Sequence, residues 1–203
     1  MARFPRIRKN PYDSARAEIR SGDILLASGN YMFSKLIRKA TDSCWSHVAF
    51  VMRLAEIDRV MVLESIEGKG VRTLPLSEYV SNFEGSGEGY NGRLAIARHS
   101  DFEAKVTAKK MKSLAQFAVD RFAYPYDEEE IARITARIVG AKLGFKPREM
   151  KRNEEYICSE YVYECYRKVG IRIRQGNSGF IAPGDFPADS RVRLQFEIVA
   201  SLP

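Results

Sequence analysis

Cysteine, histidine and tryptophan are scarce in this chain of 203 residues, with three, two and one copies respectively. The cysteines are Cys44, Cys158 and Cys165, an odd number with no C-x-x-C pair, which argues against a disulfide framework and a cysteine-rich zinc site. Cys158 and Cys165 would stand about 10 Å apart on a straight helix, too far for a disulfide. Cys44 and His47 form a lone C-x-x-H, and two ligands do not make a zinc site. No metal and no cofactor is therefore expected. Also missing is any run near the ~20 apolar residues of a spanning helix. The basic residues Arg3, Arg6, Arg8 and Lys9 are not followed by the apolar stretch of a signal peptide. The expectation is a cytoplasmic protein without a transmembrane segment. No repeat and no linker interrupts the chain, so a single domain over residues 1–203 is expected, with 1–13 as a flexible basic arm broken by Pro5 and Pro11.

Acidic residues are outnumbered, and the net charge is +7. Such a balance suits nucleic acid, an anionic membrane face or an acidic substrate. The basic residues are scattered, however, and no nucleic-acid motif accompanies them, so no nucleic-acid partner is expected. The glycine-rich stretch 84–92 does not fit G-x-G-x-x-G at a strand-to-helix junction and reads as a loop, not a phosphate cradle.

What is present is a mixed pattern of strands and helices. Ile24–Ala27 reads as a short buried strand. Phe33, Leu36, Ile37 and Ala40 fall at helical spacing, with Lys35, Arg38 and Lys39 on the wet side. Trp45–Met52 and Val60–Ile66 are apolar on both faces, as central strands are. Val71–Leu74 and Leu94–Arg98 read as strands, and Ser77–Val80 as a helical turn between them. A long helix is expected from Asp101, with Ala104, Ala108, Met111, Ala115, Ala118 and Phe122 inside and His99 just before it at the surface. Another helix opens at Glu128–Glu130 and ends at Gly144. Ile171–Arg174 and Val192–Val199 complete an α+β chain.

Two strands each carry one titratable side chain, His47 and Glu64, and a charge there is costly to bury unless paired. His47 shares a face with Ala49 and Val51, and Glu64 with Val60 and Val62, so adjacent strands would bring the two within reach. The third element is Tyr156-Ile157-Cys158-Ser159-Glu160-Tyr161-Val162. It places Cys158 in the first turn of a helix that ends at Gly170. There the macrodipole and unpaired N–H groups favour a thiolate. Cys158 also belongs to the stripe Cys158, Val162, Cys165, Val169, so it reads equally as a core cysteine. His47 reads either as a base or as a satisfied strand histidine.

These segments follow the order of a known family. Gly22-Asp23-Ile24-Leu25-Leu26, Trp45-Ser46-His47-Val48, Leu63-Glu64-Ser65 and Tyr156-Ile157-Cys158-Ser159-Glu160-Tyr161-Val162 resemble the permuted branch of the NlpC/P60 papain-like superfamily, the YiiX/YebB-like group of cysteine amidases. Tyr124-Pro125-Tyr126-Asp127 and Pro183-Gly184-Asp185-Phe186 match two further stretches, so the resemblance spans about residues 21–190. It implies a circularly permuted papain-like fold in which a small, barrel-like, mostly antiparallel sheet packs against the cysteine helix. It implies Cys158 as nucleophile, His47 as base and Glu64 as third member, with Glu67 as the fallback. The Cys158 N–H and a tyrosine, Tyr156 or Tyr126, would form the oxyanion site. The implied substrate is a peptide-like amide such as a γ-D-glutamyl-diamino-acid link. A lipid acyl hydrolase or acyltransferase like lecithin:retinol acyltransferase is the alternative within enzymes, and a non-catalytic binding module the alternative outside them. The charged insertion between Arg121 and Tyr156 would cover the cleft.

Overall fold

The structure is a computed structural model and describes residues 3–126, 156–176 and 180–200. The expected helix over 128–144 and most of the 121–156 insertion lie outside these residues. Seven strands form one sheet in the order β1-β7-β6-β2-β3-β4-β5. They are β1 (Lys9–Pro11), β2 (Asp23–Gly29), β3 (His47–Leu54), β4 (Arg59–Ile66), β5 (Gly70–Pro75), β6 (Gly92–His99) and β7 (Val192–Val199). Only β1 and β7 pair in parallel; the other five pairings are antiparallel. β1 and β5 are the two edges, so the sheet is open rather than closed into a barrel.

Both faces of the sheet are covered, which is why its central strands are apolar throughout. On one face Ile24, Leu26, Val48, Phe50 and Leu63 pack against helix α5 (Ala108–Val119) and helix α6 (Cys158–Lys168). On the other, Leu25, Ala49, Val51, Val62 and Ile96 meet Ala15 of the short helix α1 (Tyr12–Ala15) and Leu76 and Tyr79 of α3 (Leu76–Ser81). None of the described helices is long and apolar enough to cross a membrane.

Several local expectations change. Residues 3–13 are not a loose arm here. β1 pairs with Glu197–Val199, Glu197 N–H donates to the Arg8 carbonyl at 2.9 Å, and Phe4 stacks edge-on to Trp45 at 5.6 Å. The open edge of β7 supplies ladder groups that the arm satisfies. The single helix from Asp101 is two, α4 (Asp101–Lys105) and α5, because the Thr107 hydroxyl accepts the Lys110 N–H and starts a new helix. That break turns Ala104 and Ala108 outward and puts Phe102, Leu114, Phe117 and Ala118 inside. Helix α2 (Met32–Thr41) exposes Leu36 and buries Arg38, contrary to expectation for these two, while Lys35 and Lys39 are exposed as expected. The side chains of Phe33 and Ala40 are outside the described set. Ile171–Arg174 pairs with no strand; Ile171 and Ile173 are buried, and Arg174 N–H donates to Asp189 Oδ2 at 2.9 Å.

Candidate functional site

The site is built from a hairpin, a strand end and a helix end. The β4–β5 hairpin turns tightly through Glu67, Gly68 and Lys69, pairing Ile66 with Gly70. Gly70 has φ +69° and its α-carbon faces the Tyr124 carbonyl so closely that no side chain would fit. This register sets Glu64 directly opposite Arg72. Glu64 is fully buried, and both oxygens are engaged. Oε1 accepts from Arg72 Nε at 2.9 Å and lies 2.8 Å from Arg72 Nη2. Oε2 accepts from the Tyr79 hydroxyl and lies 2.6 Å from His47 Nε2. Burial alone would push this carboxyl up, but the hydrogen bond and charge of His47 and the Arg72 guanidinium hold it below the usual range.

His47 is the first residue of β3. The β3–β4 register pairs Val51 with Val62, so His47 and Glu64 stand on the same face as diagonal neighbours. With Nε2 committed to Glu64, Nδ1 is the ring nitrogen left for Cys158. Burial would lower the His47 pKa. The charge and hydrogen bonding of Cys158, followed by those of Glu64, outweigh it and raise the value to about 10.

Cys158 opens α6, whose last turn is closed by Gly170 at φ +82°. Glu160 Oε2 accepts the Ile157 N–H at 3.4 Å and steadies the first turn. Tyr161, Val162, Cys165 and Tyr166 anchor the helix in the core. Cys158 is itself buried among them, yet it lines a cavity of about 240 Å³ together with His47. Both readings of its position, core stripe and cavity wall, thus hold at once. Cys44 and Cys165 are buried and line no part of that cavity; burial pushes both thiols up.

Of the two tyrosines, Tyr126 lines the cavity and Tyr156 does not. The Tyr156 hydroxyl accepts from Arg121 Nε at 2.9 Å, and its ring stacks on Tyr161. Its carbonyl accepts the Ser65 hydroxyl and so fixes the segment before Cys158 to β4. Glu67 lines the cavity, whereas Glu64 is the carboxylate that lies 2.6 Å from His47 Nε2. His99 is buried rather than superficial, with Nδ1 accepting the Asp101 N–H at 3.1 Å and the ring near Tyr166. It is not part of the cavity lining, and burial, then Arg191, lower its pKa. Arg72 and Tyr79 are the partners that reading the sequence missed. For Arg72 a signal existed: counting back from the Gly68 turn pairs it with Glu64.

The family model of the permuted papain-like amidase enzymes, YaeF/YiiX, C92 family, matches residues 18–180. The crystal structure of metalloprotein yiiX from Escherichia coli O157:H7 superposes with a TM-score of 0.58 at 17% identity. That match covers 91% of this chain and 98% of the other, and at this identity it speaks for the fold alone. No curated protein matches in sequence. Among the described residues, no group of three or more His, Cys, Asp and Glu side chains could hold a metal ion, and the Glu64 oxygens are already taken by Arg72, Tyr79 and His47. The matched residues include β2 to β6, the β4–β5 hairpin and the cysteine helix just described. The chain belongs to the permuted papain-like amidases of the YaeF/YiiX, C92 family, a family of cysteine hydrolases.

Proposed function

We propose that the chain, acting as one catalytic domain over residues 1–203, cleaves an amide bond through a thioester on Cys158. His47 serves as base and Glu64 as the third member. The observation that carries this reading is the placement of His47, with Nε2 at 2.6 Å from Glu64 and its other side against Cys158. In the first step His47 takes the thiol proton, sulfur bonds to the carbonyl carbon, and the carbonyl π electrons move to oxygen. The Cys158 N–H, unpaired in the first turn of α6, meets that oxyanion, and Tyr126 provides a second donor from the cavity wall. The C–N bond then breaks as His47 protonates the leaving amine. Water, deprotonated by His47, attacks the thioester; the acid departs and the thiol regains its proton. Glu64 holds the ring in one orientation throughout.

The cavity rim carries Glu67 and Lys69, the latter 2.8 Å from Glu84. Charges of both signs support a substrate bearing a free carboxylate and a free amine, as a γ-D-glutamyl-diamino-acid peptide does. In the cytoplasm such an enzyme would act on wall fragments rather than intact wall. A second reading, acyl chemistry on lipids, is supported by Tyr31, Met32 and Leu36, which are 44%, 88% and 43% exposed on or beside α2, whose Ser34 and Ile37 line the cavity.

The test is alkylation of the pure protein with iodoacetamide across pH, read by peptide mass spectrometry, beside His47→Ala. Cys158 should label first at neutral pH and slow at least about tenfold in the variant, while Cys44 and Cys165 stay unlabelled. Equal labelling of Cys158 in both proteins overturns the pairing. Substrate screening then sets γ-glutamyl amides against lipid esters.

A further inference from the structure

A fully buried carboxylate within a strand is tolerated only when its oxygens are engaged. For Glu64 the division of labour is specific. Among the described residues Oε1 belongs to Arg72 alone, at 2.9 Å from Nε and 2.8 Å from Nη2, and Oε2 is left to His47 and Tyr79. Nothing in the covalent geometry of a glutamate forces that division, because its terminal torsion is soft. Arg72, in contrast, is fixed by the backbone: it is the ladder partner of Glu64. Its Nη2 also reaches Glu84 Oε1 at 3.3 Å, and Lys69 Nζ sits 2.8 Å from the same oxygen, so the guanidinium is braced from the cavity rim.

Charge points the same way. When Cys158 and His47 form a thiolate–imidazolium pair, their charges cancel. Glu64 adds a negative charge that Arg72 cancels in turn. Without Arg72 the buried site would be net negative throughout, as the thiolate charge passes to the oxyanion of the tetrahedral intermediate.

We infer that Arg72 is the positioning residue of this site. It holds Glu64 by Oε1 so that Oε2 stays on His47 Nε2, and it offsets the carboxylate charge where the oxyanion forms. This rests on the Cys158–His47 reading above, and Arg72 itself touches no reacting atom.

The experiment uses the full chain with Arg72→Gln and Arg72→Lys, and Arg98→Gln as the control. Arg98 holds Asp23 across β2 and β6 and lines no part of the cavity. The readouts are the Cys158 alkylation rate across pH and the imidazole nitrogen signals of His47. Arg72→Gln should slow Cys158 alkylation by about 10- to 100-fold and move the His47 titration. Arg72→Lys, which keeps the charge without the fork, should recover part of the rate. Arg98→Gln should lower thermal stability and leave the Cys158 rate within about twofold. Wild-type rates in Arg72→Gln, with His47→Ala still slow, overturn the inference and spare the parent reading; wild-type rates in His47→Ala sink both. Equal slowing in Arg98→Gln would mean that the sheet has merely loosened, and also overturns it. If Arg72→Gln does not fold, Arg72→Lys decides alone: a several-fold loss supports the inference and a wild-type rate ends it.

Discussion

Two strand pairs in this sheet carry the same cross-strand device, an arginine opposite a buried acid, and they use it differently. On β2 and β6, Asp23 pairs with Arg98; on β4 and β5, Glu64 pairs with Arg72. The Arg98 fork spans both Asp23 oxygens, with Nε to Oδ1 at 2.6 Å and Nη2 to Oδ2 at 2.7 Å, and the Arg20 N–H takes Oδ2 again at 2.8 Å. That carboxylate is closed and straps the sheet. The Arg72 fork converges on one Glu64 oxygen, and the other oxygen is left for His47. Burial and ion pairing therefore do not separate Asp23 from Glu64, the acid proposed for the catalytic site. The number of oxygens that the arginine leaves free does.

Replacing each acid by its amide should break this comparison with the largest effect. In Glu64→Gln the amide oxygen can still face Arg72, but then the NH2 group confronts the His47 and Tyr79 donors. His47 loses its orienter and its preferred tautomer. Turnover should fall about 10³- to 10⁴-fold, and Cys158 alkylation by at least about tenfold. Asp23→Asn leaves the Arg98 guanidinium with a neutral partner and should cost about 3–5 kcal/mol of stability by chemical denaturation. Its folded fraction should keep Cys158 reactivity. Glu64→Gln retaining turnover within about tenfold would remove Glu64 from the triad.

A smaller effect sharpens the contrast through pH. His47 is raised to about 10 from an ordinary 6.5, because Cys158 and Glu64 outweigh the lowering by burial. A group raised in the folded state contributes stability that is complete below 6.5 and lost as pH rises through about 10. Glu64, held low, works in the opposite sense: its contribution is present above its ordinary range and is lost as pH falls below it. The thermal midpoint of the wild type should thus decline between neutral pH and about 10, and His47→Ala should flatten that decline in scanning fluorimetry. An unchanged decline in the variant would assign the alkaline loss to other groups.

The parts of this arrangement that local pattern controls were legible in the sequence. Strand alternation put His47 on the face of Ala49 and Val51 and Glu64 on that of Val60 and Val62, and the ladder aligns those faces. Gly170 marked the end of the cysteine helix. What tertiary packing decides was not legible. His99 reads as a polar strand end, but α4 and the 189–192 segment close over it, with Ser100 N–H donating to the Arg191 carbonyl at 2.8 Å. Tyr126 and Tyr156 flank residues 127–155 and look equivalent in sequence; Arg121 claims the second. On α2, Lys35 and Lys39 face water as their spacing says, but Arg38 turns inward and donates to Ser28 on β2, and Leu36 is exposed.

Arg38 yields the smallest expected effect, and one of opposite sign. Arg38 is 7% exposed, and its Nη1 donates to the neutral Ser28 hydroxyl at 2.9 Å. Among the described residues it has no carboxylate partner, and its buried Nε has no hydrogen-bond partner. A guanidinium taken out of water and matched only to a hydroxyl gains little for its desolvation. Methionine has similar length and no polar atom to satisfy. Arg38→Met should therefore leave stability unchanged or raise it by about 1 kcal/mol, where Arg98→Gln lowers it by several. Urea denaturation of the two variants side by side decides the matter. A loss of more than about 2 kcal/mol in Arg38→Met would show that a buried arginine stabilises this sheet without an acid opposite it, and the distinction between the two acid–arginine pairs would then have to rest on Cys158 reactivity alone.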